Sequence, residues 1–110
     1  DIYSNGVNLS AWAARTWNDV IGSRSIGTTY TNNRDYPIDV SISVDLPSAT
    51  TGRQARLTVG GVIVNDGYVS SVTNNVRVIM QFTATIPPGA NYAITAVAGS
   101  PAIFRWTELY

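Results

Sequence analysis

The sequence contains no cysteine, no histidine and no lysine. Without thiolate or imidazole there is no Cys or His nucleophile, no imidazole general base and no zinc site of those ligands, and without lysine no Schiff base can form. Charge is sparse as well: seven arginines face six aspartates and one glutamate, 13% of the residues, and the formal net charge is zero. That balance sets up no field favouring nucleic acid or an anionic membrane surface, so neither is an expected partner. No apolar run reaches the roughly 20 residues that cross a bilayer, and no membrane insertion is expected. The sequence starts at Asp1 without a signal peptide or initiator methionine, as expected of a piece of a longer chain.

What is present is a 110-residue chain, 45% hydrophobic, with three tryptophans and six tyrosines set among Thr, Ser and Asn. A chain of this length buries about two thirds of its unfolded surface and needs no covalent or metal staple. β-Branched and aromatic residues interleaved with uncharged polar ones suit strands and turns. Residues 38–46 alternate strictly, with Ile38, Val40, Ile42, Val44 and Leu46 on one face and Asp39, Ser41, Ser43 and Asp45 on the other. A second alternation over 76–86 carries Arg77, Ile79, Gln81, Thr83 and Thr85 on a mildly polar face that a neighbouring subunit could cover.

Further strands are expected at 17–21, 27–32, 54–59, 62–64, 68–72, 91–98 and 102–110, the last with Phe104, Trp106 and Tyr110 on one face. Asp66-Gly67 reads as a tight hairpin turn, Gly60-Gly61 as a bulge or strand break, and Thr73-Asn74-Asn75 and Pro87-Pro88-Gly89 as turns. A helical turn or two fits 9–15, with Ser10 as a possible cap. Many short strands with Gly, Pro and Asn punctuation predict an all-β, antiparallel, jelly-roll-like β-sandwich of about seven to nine strands.

No constellation for catalysis stands out. Asp39 and Asp45 share a strand face but lie roughly 20 Å apart, too far for a glycosidase pair, and solvated strand faces explain the carboxylates better. Asn32-Asn33-Arg34-Asp35 and Asn65-Asp66-Gly67 carry oxygen ligands suited to calcium, yet both are more simply turns. No catalytic residue, metal or cofactor is expected.

Binding is the better reading. Tyr and Trp offer rigid apolar faces with one polar handle, suited to sugar rings and to protein contacts. Tyr30, Tyr92 and Trp106, inside strands, are expected to pack, while Tyr68 beside the expected turn could face a ligand. Arg24, Arg34, Arg53 and Arg56 fall in or near expected loops, could cluster at one end of a sandwich, and suit carboxylates, phosphates or acidic sugars. With Tyr68 and the turn residues Asn74 and Asn75 they form the candidate receptor-binding set.

Several ordered motifs carry a family resemblance: Trp17-Asn18-Asp19-Val20, Ser23-Arg24, Gly27-Thr28-Thr29-Tyr30-Thr31-Asn32 and Tyr36-Pro37-Ile38, then Leu57-Thr58-Val59 with Gly61-Val62-Ile63-Val64, Ile86-Pro87-Pro88-Gly89-Ala90-Asn91-Tyr92, and Trp106-Thr107-Glu108-Leu109. Together they resemble the carboxy-terminal tip domains of tail fibre proteins from tailed bacteriophages and prophages, with Tyr36 where those carry arginine. The resemblance runs from residue 17 to 110 and leaves 1–16 as the connection to an upstream fibre shaft. It implies a homotrimeric sandwich at the distal end of a virion tail fibre, outside the cell, that binds a bacterial surface polysaccharide or outer-membrane protein during host adsorption. A carbohydrate-binding module of a secreted bacterial glycoside hydrolase and a purely structural trimerisation cap are the alternatives.

Overall fold

Alternation of apolar and polar side chains builds two antiparallel sheets packed face to face. The structure, a computed structural model, describes residues 2–47, 52–70 and 77–110. Strands β1 (Tyr3–Ser4) and β2 (Val7–Asn8) make a small hairpin, followed by helix α1 (Leu9–Ala13). Then come β3 (Trp17–Asp19), a 3₁₀ turn at Ile21–Ser23, β4 (Tyr30–Thr31), β5 (Ile38–Leu46), β6 (Arg53–Val59), β7 (Val62–Val69), β8 (Val78–Ile86), β9 (Asn91–Ala98) and β10 (Ala102–Leu109). The first sheet has the order β3-β10-β5-β8 and the second β4-β9-β6-β7. The chain passes between the sheets after nearly every strand, which is the interleaving of two Greek keys in a jelly roll.

The 38–46 alternation appears as read. β5 buries every second side chain from Ile38 to Leu46 and sits between β10 and β8. Its apolar face meets Ala55, Leu57, Ile94 and Tyr92 from the second sheet and Phe82, Ile86 and Trp106 from its own. Each fully buried aliphatic side chain of this set contributes about 1.5–3 kcal/mol.

Four local readings are corrected. Asp66-Gly67 is no turn: both residues lie inside the unbroken strand β7, with Asp66 opposite Arg56 and Gly67 opposite Ala55. The reversal is at Gly60-Gly61, where φ is 59° and 81°, values only glycine adopts freely. Gly67 serves a different end, since a Cβ there would lie 3.0 Å from Phe82 Cζ and closer still to Met80 Sδ. The cap of α1 is Asn8 rather than Ser10, its Oδ1 accepting from the Ala11 N–H at 3.0 Å.

Phe104 does not share a face with Trp106. A bulge between Ile103 and Arg105 shifts the phase of β10, so that Trp106 is fully buried while Phe104 is exposed. The expected turn at Thr73-Asn74-Asn75, with both Asn74 and Asn75, lies outside the described residues. Residues near the start, expected to connect to a shaft, rest on the sandwich. The Asn8 N–H donates to Asp35 O at 2.8 Å, Val7 and Ala11 pack on the core, and Arg15 reaches Asp39 at 3.1 Å.

Candidate functional site

At the end of the sandwich where β5 begins, the β3–β4 and β4–β5 connections and the last residues of β10 enclose a cleft of about 270 Å³. Arg24, Thr31, Asn33, Arg34, Glu108 and Tyr110 are among its lining residues. Glu108 is buried to 2% exposure, which a lone carboxylate would not tolerate. It is held by four donors. Arg24 Nη2 reaches Oε1 at 2.9 Å, and Arg24 Nε (3.1 Å), the Tyr92 hydroxyl (2.7 Å) and Trp106 Nε1 (3.0 Å) converge on Oε2. Trp106 stands two residues before Glu108 on the inward face of β10, whereas Tyr92 comes from the opposite sheet, so this one carboxylate ties the two layers together.

Burial, and then the hydrogen bond to Glu108, hold the Tyr92 phenol well above its ordinary range. For Arg24 burial works the other way, but the hydrogen bond and charge of Glu108 outweigh it and raise the guanidinium above its usual value. The Arg24 guanidinium also lies 4.7 Å from the centre of the Tyr30 ring, which meets Trp106 edge-on at 5.7 Å. With its Nη1 bonded to Ser23 besides, Arg24 is a clamp. Glu108, one of the carboxylates expected on solvated strand faces, is instead the buried centre of this network, and among the described residues no carboxyl group is bonded to it.

Arg34 stands differently. Its guanidinium lies 4.5 Å from the Tyr110 ring centre, and Nη1 donates to the Tyr36 hydroxyl at 3.4 Å. The neighbouring Asp35 is taken up by the Tyr3 hydroxyl at 2.7 Å. Among the described residues no carboxylate pairs with Arg34. Asn32, which could have served calcium, is buried, with its amide donating to Tyr36 O and Ile86 O.

The other arginines do not join this cleft. Arg53 is 0% exposed and lies in β6 rather than a loop, its Nη1 donating to Leu46 O and Pro47 O at the far end of β5, roughly 26 Å away along the strand. Arg56, also in β6, pairs with Asp66 at 3.1 Å on the outer face of the second sheet. Tyr68 is on that face too, opposite Gln54, and 58% exposed. The expected clustering of four arginines at one end thus holds for Arg24 and Arg34 and fails for Arg53 and Arg56, because strand β6 begins at Arg53.

Sequence reasoning missed a second surface. The outer face of the first sheet carries Asp39, Ser41 and Ser43 from β5, Gln81, Thr83 and Thr85 from β8, and Thr107 from β10, aligned in register. Trp17 on edge strand β3 is 57% exposed and, with Asp39, Ser41, Thr83 and Thr85, lines a groove of about 370 Å³. Ser41 and Ser43 bond with Gln81, and Thr85 with Asp39, while the Thr83 hydroxyl has no partner among the described residues. The signal was present, because the outward positions of 38–46 and 76–86 are rich in hydroxyl groups. What was missing was the pairing that sets Trp17 beside them. Among the described residues no three acidic side chains gather as metal ligands.

No protein-family model and no curated protein matches the sequence. Several solved structures superpose on the chain. A segment of a β-glucosidase from Paenibacillus barengoltzii superposes with a TM-score of 0.52 and 15% identity over 100% of this chain and 12% of that one. A family 35 carbohydrate-binding module from Clostridium thermocellum gives a TM-score of 0.44 and 22% identity over 74% of this chain and 67% of that one. Carbohydrate-binding module CBM36, in complex with calcium and xylotriose, gives 0.44 and 12% over 86% and 99%. The chain spans 12% of the length of the glucosidase, and that likeness concerns the sandwich architecture.

Proposed function

We propose that the protein is a non-catalytic β-sandwich module that binds a glycan on the outer face of sheet β3-β10-β5-β8. The observation that carries this reading is Trp17, an exposed indole at the margin of a groove lined by Ser41, Thr83 and Thr85. An indole offers a flat apolar face to the C–H side of a sugar ring, and the short hydroxyls, with the Asp39 carboxylate beside them, can meet the ring's own hydroxyls. Glu108 is pinned by four donors and acts as a structural acceptor, which supports binding over hydrolysis. The groove's open form suits a stretch of polysaccharide.

A glycan array followed by calorimetry tests this. Trp17→Ala should weaken binding of the best array ligand at least tenfold, with a melting temperature within about 2 °C of the parent, because the side chain is largely exposed. An array on which no glycan binds, or an unchanged affinity in the variant, would reject the reading.

A homotrimeric fibre tip that binds a surface glycan is the second reading. It is favoured by three consecutive exposed apolar residues, Val62, Ile63 and Val64, on edge strand β7, a surface that natural sheets usually protect. Light scattering that shows a monomer at micromolar concentration would remove it.

A further inference from the structure

Arg24 and Arg34 line one cleft, yet only one of them is used up. Arg24 presents the Nε and Nη2 edge of its guanidinium to Glu108, the side-on fork that fits a carboxylate at two points. Arg34 is held by the other parts of its group, with the plane over Tyr110 and Nη1 on the Tyr36 hydroxyl. Its Nε and Nη2 edge has no partner among the described residues. We propose that this open fork is a subsite for the carboxylate of an acidic sugar, a uronate residue of the bound glycan.

Three observations bear on the choice of ligand. Glu108 is neutralised by Arg24 and Asp35, bonded to Tyr3, does not line the cleft, so the side-chain charge left over in the lining is the single positive one of Arg34, and it matches one carboxylate. The guanidinium is pre-positioned by two contacts, so less side-chain freedom is lost on binding than for a free arginine. The remaining lining is uncharged and, Ile38 apart, polar, with Thr31 and Asn33 exposed beside it. A cleft of about 270 Å³ lies just below the usual range for drug-sized ligands and suits one sugar ring. The assignment takes its ligand class from the glycan-binding reading, while the anion chemistry stands on Arg34 itself.

The test is an NMR titration of the whole chain with glucuronate, glucose and acetate, following the Arg34 Nε–Hε resonance and the backbone amides of Asn33 and Tyr110. Glucuronate should shift all three saturably, and glucose and acetate at equal concentration should not. Arg34→Gln should abolish the glucuronate response. Arg34→Lys, which keeps the charge without the fork, should weaken it at least tenfold, and both variants should melt like the parent. No response to glucuronate, an equal response to acetate, or a response retained in Arg34→Gln would overturn the subsite. A glucuronate response at Arg34 with no neutral glycan on the Trp17 groove would keep the subsite and reject the sheet-face reading. The two failures are therefore distinguishable.

Discussion

Arg24 and Glu108, 84 residues apart in sequence, form a two-point ion pair at 2.9 and 3.1 Å that closes one end of the sandwich. Glu108 is buried and Arg24 partly so, with side-chain exposures of 2% and 19%. Removal of the cation strands a carboxylate in the core, a change that costs about 3–5 kcal/mol when the pair is fully buried. Partial exposure of Arg24 puts the expected loss at the lower end. Arg24→Ala should therefore lower the melting temperature by roughly 10 °C or more in a domain of this size, as calorimetry can show. A melt within 2 °C of the parent would mean that water substitutes for the guanidinium.

Tyr68→Ala should behave in the opposite way. Tyr68 is more than half exposed on the outer face of β7, and substitutions at such positions usually stay within about 0.5 kcal/mol. Its melting temperature should match the parent within a few degrees. Two residues grouped by sequence as receptor contacts thus separate on thermal stability alone.

The same contrast shows what could be read in the sequence. The period of two fixes β5 and its core face, because burial against a second layer demands it. The Pro87-Pro88-Gly89 turn and strand 91–98 follow from local chemistry in the same way. The role of Glu108 could not be read, since its partners Arg24 and Tyr92 are neighbours only through the pairing of strands distant in sequence. Trp17 was missed for a similar reason: it joins the hydroxyl-bearing face only because β3 pairs with β10 and β10 with β5. Phe104 was assigned to the wrong face because a one-residue bulge, invisible in an alternation pattern, reverses everything before it.

Gly67 shows how a correct local rule can point to the wrong structure. Asp-Gly is a strong hairpin signal, but this glycine is needed because Met80 and Phe82 press on the strand at that point. Gly67→Ala introduces a methyl about as near to the Phe82 ring as atoms can come, and Phe82 is itself buried in the core. Overpacking of this kind costs about 1–3 kcal/mol. The expected result is a lower denaturation midpoint with an unchanged denaturant slope. Were the site a turn that needs positive φ, Gly67→Asn would be tolerated better than Gly67→Ala. In the strand it should be worse, being larger.

The Tyr92 phenol donates to Glu108 from a buried position, and both burial and that carboxylate hold its proton more tightly than in the unfolded chain. Below about pH 10, the ordinary phenol value, folded and unfolded chains both keep the proton, and the contribution to stability is complete. Above it the unfolded chain releases the proton while the folded chain retains it, so stability falls as pH rises and the contribution is lost on approach to the raised folded value. Tyr3 is shifted in the same direction by its hydrogen bond to Asp35, and Tyr30 in the other, so the total alkaline slope mixes several groups. The comparison that isolates Tyr92 is Tyr92→Phe. It should be less stable than the parent at neutral pH by about 1.5–3 kcal/mol, the worth of a hydrogen bond to a charged group, and the gap should narrow steadily above about pH 10. Parallel denaturation curves across that range would show that the phenol proton is not held by Glu108.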